Sequence, residues 1–175
     1  PGCMEHLVLH NLRREPCFVP ELDYIIKKDG RIVAHIAYAK GSLETEDGRT
    51  VDSLIFGPVS VLPECQGRGY GDKLIRFTLE KAREMGFGAV FMEGNIDFYK
   101  HAGFTLASGL HIHYHGEPRE SDVPYFLGQE LKEGYLEGIE GTYHTPKGYF
   151  VAMDDPEGFE AFDATFPKKE KKVLP

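Results

Sequence analysis

Sorted into apolar and polar positions, the chain changes period several times, and each change marks an element. Over residues 3–14, Met4, Leu7, Val8 and Leu12 fall on one face, while Glu5, His6, Asn11 and Arg13 fall mostly elsewhere. That spacing predicts a helix, which Pro16 and Pro20 end. Residues 22–27 read as a strand, and Asp29-Gly30 is a two-residue hairpin signal. Residues 31–39 alternate, with Ile32, Ala34, Ile36 and Tyr38 pointing one way and Val33, His35 and Ala37 the other. A second turn signal, Asp47-Gly48, leads into a longer strand over 49–61 that pairs with the one before. Gly57-Pro58 interrupts it; proline has no N–H for a ladder, so the strand either bulges there or bends at an edge.

After Pro63 the pattern turns to glycine and then to a helical period. Gly67, Gly69 and Gly71 alternate, and Leu74, Ile75, Thr78, Leu79 and Ala82 follow at helix spacing over 72–85, closed by Gly86 and Gly88. A helix that opens on glycines presents unpaired N–H groups and a positive dipole end, which suits a phosphate or pyrophosphate. The turn fits neither nucleotide signature. A P-loop closes on Gly-Lys-Ser/Thr, where this chain has Gly71-Asp72-Lys73, and Asp72 stands where a dinucleotide fingerprint has its third glycine. What is left is Gln66-x-x-Gly69-x-Gly71, or a glycine-rich turn without a ligand. Residues 89–93 form a short apolar strand, so strand, helix and strand imply a right-handed parallel crossover. A short helix over 96–102 ends at Gly103, two strands are expected over 105–115 and 122–131, and 133–150 is irregular and rich in glycine and tyrosine. A charged helix is expected over 156–166, and the lysines of 168–172 read as a disordered or solvated tail.

Composition narrows the function classes. The chain has 175 residues, which favours one domain, and a formal net charge of −8, which argues against a general nucleic-acid binder. No apolar run reaches membrane-spanning length and no signal peptide is visible. Cys3, Cys17 and Cys65 show no paired spacing and read as reduced thiols of a cytoplasmic protein. His111, His113 and His115 alternate and would share one strand face; a half-exposed strand is preferred over a metal site, because a lone strand rarely converges three side chains on one ion. Cys65, beside the glycine turn, reads as a packing residue rather than a nucleophile, since no activating histidine is adjacent in sequence.

The order of elements, the Gln66-x-x-Gly69-x-Gly71 turn and the later Phe98-Tyr99-Lys100-His101-Ala102-Gly103-Phe104 segment together resemble the GNAT superfamily of N-acetyltransferases. Within it, the stretch Gly57-Pro58-Val59-Ser60-Val61-Leu62-Pro63-Glu64-Cys65-Gln66-Gly67-Arg68-Gly69 and the Gly94-Asn95 link resemble the bacterial YhbS-type acetyltransferases. The resemblance implies an α/β GNAT-type acyl-CoA fold: a mixed central sheet flanked by helices, with a splayed, bulged central strand. It spans about 3–131, so 1–131 is taken as the acetyltransferase domain and 132–175 as an extension packed on it. Family members begin with a strand and a helix ahead of the first helix here, and a chain that starts at Pro1 reads as starting after them.

The same resemblance implies site roles. Backbone amides of Gln66, Gly67, Arg68, Gly69, Tyr70 and Gly71 would bind the pyrophosphate of acetyl-CoA, the co-substrate, with no metal required. Val59 and Val61 would pair with the pantetheine arm as with an added strand, a free amide near Val61 would polarise the thioester carbonyl, and Asn95 would sit near the pantetheine. Tyr99 would protonate the departing thiolate; without the family, it reads equally as a core aromatic. Asp72 opens the helix where relatives often carry a small or neutral residue, and would repel phosphate if it faced the site. Ile55 stands where histone-type members keep a base glutamate, so the base is not inherited. Glu93 is the side-chain candidate, at the carboxyl end of a parallel strand with partial burial expected; its alternatives are a cap on the Gly94-Asn95 turn or a water relay. The expectation is therefore direct acetyl transfer to a primary amine of a small molecule or peptide, by a monomer or homodimer, with no nucleic-acid or membrane partner. The competing expectation is a non-catalytic acyl-CoA-binding module.

Overall fold

The computed structural model describes residues 4–168. Helix α1 (Glu5–Leu12) buries Leu7, Val8 and Leu12, as its apolar spacing requires. Strands β1 (Tyr24–Lys28) and β2 (Arg31–Thr45) form a hairpin turned by Asp29 and Gly30, both at positive φ (51° and 77°). Strand β3 (Thr50–Val61) returns antiparallel to β2. Helix α2 (Tyr70–Glu84) crosses to β4 (Ala89–Glu93), which lies parallel to β3. A short helix α3 (Ile96–Tyr99) precedes β5 (Thr105–Leu106), β6 (Ile112–Tyr114), β7 (Phe126–Glu130) and β8 (Gly141–His144), and helices α4 (Val151–Asp154) and α5 (Pro156–Asp163) finish the described chain.

The strands form one mixed sheet in the order β5-β7-β4-β3-β2-β8-β6, with β1 beside the first half of β2. Helix α2 covers one face. Its Leu74, Ile75, Leu79 and Ala82 meet Ile36, Tyr38, Leu54, Phe56, Val90 and Met92. Full burial contributes roughly 1.5–3 kcal/mol for each large apolar side chain, so α2 is held mainly by this stripe. The one polar pair in that layer, Tyr38 Oη and Thr78 Oγ1, is buried and satisfied at 2.8 Å. On the other face Leu12, Leu43, Ile55, Phe91, Phe126 and Tyr143 form a second core. The sheet curls over this core: Tyr114 of β6 and Phe126 of β7, from opposite ends of the strand order, have ring centroids 5.0 Å apart.

Several expectations are corrected here. Residues 105–115 are not one strand. A 3-10 turn at Ala107–Leu110 and a left-handed His111 (φ 59°) carry the chain from β7, which pairs with β5, to β8, which pairs with β6. Leu110 turns inward as the chain crosses, packing against the second core. The three histidines therefore do not share a face: His111 lies in the turn, His113 reaches Glu140 at 3.7 Å, and the ring of His115 lies 4.4 Å from that of His144. Among the described residues no group of three or more His, Cys, Asp or Glu is placed to hold a metal. Strand β7 begins only at Phe126, because Pro124 and the turn closed by Phe126 N–H on Val123 C=O precede it. The irregular stretch 133–150 contains β8, whose four residues are too few to show a period. Strand β2 runs on to Thr45, and both its faces are buried around Ala37, so alternation there does not separate core from solvent; Ile32 of the expected inner face is 50% exposed.

Residues 151–163 supply α4 and α5, and His6 of α1 stacks on Phe162 of α5 with centroids 5.4 Å apart. Cys17 and Cys65 are free thiols, and Cys65 is buried; Cys3 and the lysines of 169–172 lie outside the described residues. Among the described residues no helix is long and apolar enough to cross a membrane.

Candidate active site

The site begins where β3 leaves β4. The two strands pair only through Leu54 with Val90 and Ile55 with Phe91. Just beyond, Gly57 and Pro58 lie opposite a single residue, Ala37, between the pairs Phe56–Tyr38 and Val59–Ile36. The extra residue is a β-bulge, which bends the strand and increases its twist. Past it, β3 keeps β2 on one side and has no strand on the other. In an antiparallel ladder alternate residues turn their N–H and C=O away from the partner. The Leu62 N–H bonds back to Val33 C=O, whereas Val61 C=O accepts from Gln66 Nε2 at 3.1 Å. Val61, and Val59 two residues before it, therefore present main-chain groups to the open side.

The glycine turn continues from that edge. Gly67 and Gly69 have φ of 70° and 77°, and Gly69 is the left-handed N-cap of α2. From Gly67 to Asp72 no backbone N–H finds an acceptor among the described residues; the helix ladder begins with Lys73 N–H on Gly69 C=O. A Cβ at Gly67 or Gly69 would meet nothing within 4 Å, so the backbone there is open to a ligand. Gly71 is buried, and a Cβ on it would lie 3.6 Å from Val61 Cγ2 and 3.7 Å from Phe98 Cζ, which brings the turn, the β3 edge and α3 together. Arg68 is exposed, and Tyr70 packs its ring on the first core. Helix α2 starts at Tyr70, two residues before the expected start, and the Asp72 carboxylate is held by Arg76 Nε at 2.9 Å.

At the other wall, Asn95 is exposed and its Oδ1 accepts the Asp97 N–H at 2.9 Å. Its side-chain carbonyl is thus engaged as the N-cap of α3. Tyr99, at the end of α3, lies over Gly94, where a Cβ would come 2.5 Å from the tyrosine ring. Its ring centroid lies 5.9 Å from that of Phe56, the last β3 residue before the bulge, and 4.9 Å from that of Phe98. Burial pushes the Tyr99 phenol above the ordinary tyrosine value, and its hydroxyl makes no side-chain hydrogen bond among the described residues.

Glu93 ends β4 beside Gly94. The expected partial burial does not hold: the residue is exposed, because it is the last of its strand and lies at the mouth of the curled sheet. Its carboxylate does not cap the Gly94-Asn95 turn. Tyr114 Oη donates to Glu93 Oε1 at 2.6 Å, and Thr145 Oγ1 stands 3.5 Å from the same oxygen. Burial, and then the bond to Glu93, push the Tyr114 phenol well above its ordinary value. Tyr149 completes the mouth by donating to Gly57 C=O at 2.9 Å, so the chain after β8 reaches the bulge itself. Ile55 is 3% exposed and lies in the second core. Tyr114, Thr145 and Tyr149 are the residues that sequence reasoning missed. The density of tyrosine in 133–150 was the one hint, and it carried no register.

This geometry joins an anion-binding turn, an open strand edge, a buried phenol and a carboxylate. A sequence model described as "Acetyltransferase (GNAT) family" matches residues 3–104, which hold every one of those parts. The uncharacterized N-acetyltransferase YjhQ of Escherichia coli (strain K12) is 32% identical over 139 residues, covering 79% of this chain and 72% of that protein. Among solved structures, the GNAT family N-acetyltransferase YhbS from Escherichia coli, in complex with CoA, superposes with a TM-score of 0.73 at 20% identity, covering 83% of this chain and 77% of that one. A GNAT family acetyltransferase from Brucella melitensis, in complex with acetyl-CoA, gives 0.65 at 23% identity, covering 85% and 80%.

Proposed function

The chain belongs to the acetyltransferase (GNAT) family, and from that premise we propose that it moves an acetyl group from acetyl-CoA to a primary amine by direct attack in a ternary complex. The run of unpartnered N–H groups from Gly67 to Asp72, next to the open edge of β3, carries this reading. Those amides hold the pyrophosphate, with the positive end of α2 behind them. Val59 and Val61 pair through their main chain with the pantetheine arm, and a free N–H at this edge faces the thioester carbonyl oxygen, where negative charge develops. YhbS and the Brucella protein, solved with CoA and acetyl-CoA, lend the fold-level support.

The amine must attack as the neutral base. Glu93 takes its proton, directly or through one water, while Tyr114 and Thr145 orient the carboxylate. The amine nitrogen bonds to the carbonyl carbon, the carbon–sulfur bond breaks, and Tyr99 gives its phenolic proton to the departing thiolate. Ile55 has no part in the proton transfer. The free thiols of Cys17 and Cys65 support a cytoplasmic site of action.

The test is acetyl-CoA binding by thermal shift, with thiol release in the presence of a panel of amines. Gly69→Val places a β-branched side chain at φ 77° in the middle of the amide run, and is expected to abolish the acetyl-CoA-dependent rise in Tm. A folded Gly69→Val protein that binds acetyl-CoA normally would remove the basis for the phosphate assignment.

A further inference from the structure

Residues 141–150 do more than extend the sheet. With β2 they wall a cavity of about 550 Å³ whose lining includes Lys40, Ser42, His115, His144, Lys147 and Phe150. No residue of the lining is acidic. Lys40 and Lys147 make no ion pair among the described residues, and the rings of His115 and His144 lie 4.4 Å apart. One carboxylate reaches the group from outside: Glu44, itself 71% exposed, lies 3.4 Å from His144 Nε2. The chain as a whole carries a formal charge of −8, so this concavity reverses the local sign. Basic groups converging without a counter-charge repel one another, and an anion among them removes that repulsion. Phe150 and Pro146 form an apolar part of the wall. By displacing water they would strengthen any charge pairing inside.

The cavity also adjoins the proposed site of acetyl transfer. Thr145 lines it and stands 3.5 Å from Glu93 Oε1. Pro146 and Lys147 of the wall lead directly to Tyr149, which is bonded to the bulge at Gly57. A ligand with its amine at Glu93 and an anionic tail therefore has a basic receptacle one residue away.

We propose that this cavity binds the anionic group of the acceptor, so that the preferred substrate is a primary amine bearing a phosphate-, phosphonate- or carboxylate-type anion. The inference rests on the reading of Glu93 and the open β3 edge as the acetyl-transfer site. Lys40 and Lys147 supply charge-assisted hydrogen bonds, His115 and His144 add positive charge when protonated, and Ser42 supplies a neutral donor.

The experiment compares aminopropylphosphonate, butylamine and diaminobutane as acceptors by thiol release from acetyl-CoA. The phosphonate is expected to exceed butylamine by about tenfold or more in kcat/KM, mostly through KM, the scale of one or two hydrogen bonds to a charged group. The double variant Lys40→Gln, Lys147→Gln should erase that preference and leave butylamine turnover unchanged, with an unaltered Tm showing that the fold persists. Propylphosphonate, which lacks the amine, should inhibit competitively against the amine. Equal rates for the three amines, or a preference that survives in the double variant, would overturn the proposal. Activation by propylphosphonate without competition would do the same, since it would make the cavity an effector site.

If no amine is turned over, the acetyl-transfer reading is what fails, and calorimetry on the CoA-loaded protein decides the cavity separately. Aminopropylphosphonate binding that is lost in the double variant supports an anion site; absence of binding to the unaltered protein refutes it.

Discussion

Replacing Tyr99 by phenylalanine isolates the proton that the mechanism requires. The ring is packed by Phe56, Phe98 and Phe104, with centroids 5.9, 4.9 and 6.0 Å away, and all three contacts survive the substitution. The hydroxyl has no side-chain partner among the described residues, so its removal orphans no protein group, and stability should change by no more than about 0.5 kcal/mol. The effect on rate is of another size. Loss of a positioned general acid costs roughly ten- to a thousandfold, or about 1.4 to 4 kcal/mol in the barrier. Acetyl-CoA affinity should hold, because the phosphate turn and the β3 edge are untouched. The sign of the pH dependence also follows. Burial raises the phenol, so its protonated form is present below that raised value and is lost only above the ordinary tyrosine range near about 10. The wild-type rate should therefore show no Tyr99-dependent fall below that range. The assay is kcat by thiol release and Kd for acetyl-CoA, measured beside Tm. An unchanged kcat on a turned-over amine would leave Tyr99 a packing residue. A rate loss matched by a large drop in Tm would refute the claim that chemistry and packing separate at this position.

Glu93→Gln should lower kcat/KM mainly below the acceptor amine's own pKa, with the loss shrinking at high pH where free amine is plentiful; a uniform drop, or none, counts against Glu93 as base. Tyr149→Phe removes the bond to Gly57 C=O and should cost about 0.5–1.5 kcal/mol in a single unfolding transition if residues 132–168 fold with the rest. A main transition that does not move would show that the extension unfolds separately. Burial pushes the Asp23 carboxyl up, but hydrogen bonds from Arg13 and His35 outweigh it and hold the group below its usual range. Its stabilising effect is thus present above the ordinary carboxylate pKa of about 4 and is lost as pH falls through the lowered folded value. Asp23→Asn should lower Tm at neutral pH and flatten its fall in acid, and a Tm–pH curve parallel to wild type would contradict this.

What could be read from the sequence follows the range of the interactions that decide each part. The phosphate turn was legible because glycine's freedom at positive φ and the orphan amides of a helix start are properties of consecutive residues, and Gly67 and Gly69 do take that conformation. The bulge was legible for the same kind of reason, since Pro58 has no N–H to give a ladder. Asn95 was placed near the ligand by resemblance, yet the same residue is a good N-cap, and the local hydrogen bond to Asp97 N–H takes its side-chain carbonyl. Glu93 shows where local reasoning ends. Its position at the end of β4 could be read, but its surroundings are set by Tyr114 from β6 and Thr145 from after β8, which are 21 and 52 residues away in sequence.

Those contacts exist because residues 107–111 carry the chain from one end of the strand order to the other and the sheet then curls back on itself. Neither step leaves a period in the sequence. Strand β8 has four residues, and its pairing with both β2 and β6 depends on Gly141 lying where a Cβ would meet Glu44 O at 2.6 Å. A close backbone approach of that kind requires glycine, but a glycine in a loop-like stretch does not announce which strand it approaches. The parts that would bind acetyl-CoA are thus written in contiguous residues, 59–71 and 93–99. The parts that would choose the acceptor are assembled from 40–42, 114–115 and 144–150, brought together only by the fold. Acceptor choice in this chain is accordingly a property of tertiary pairing. Substitutions that shift β8 along β2 should alter which amine is used before they alter acetyl-CoA binding, because β8 touches the basic cavity and Glu93 but not the turn at 66–71.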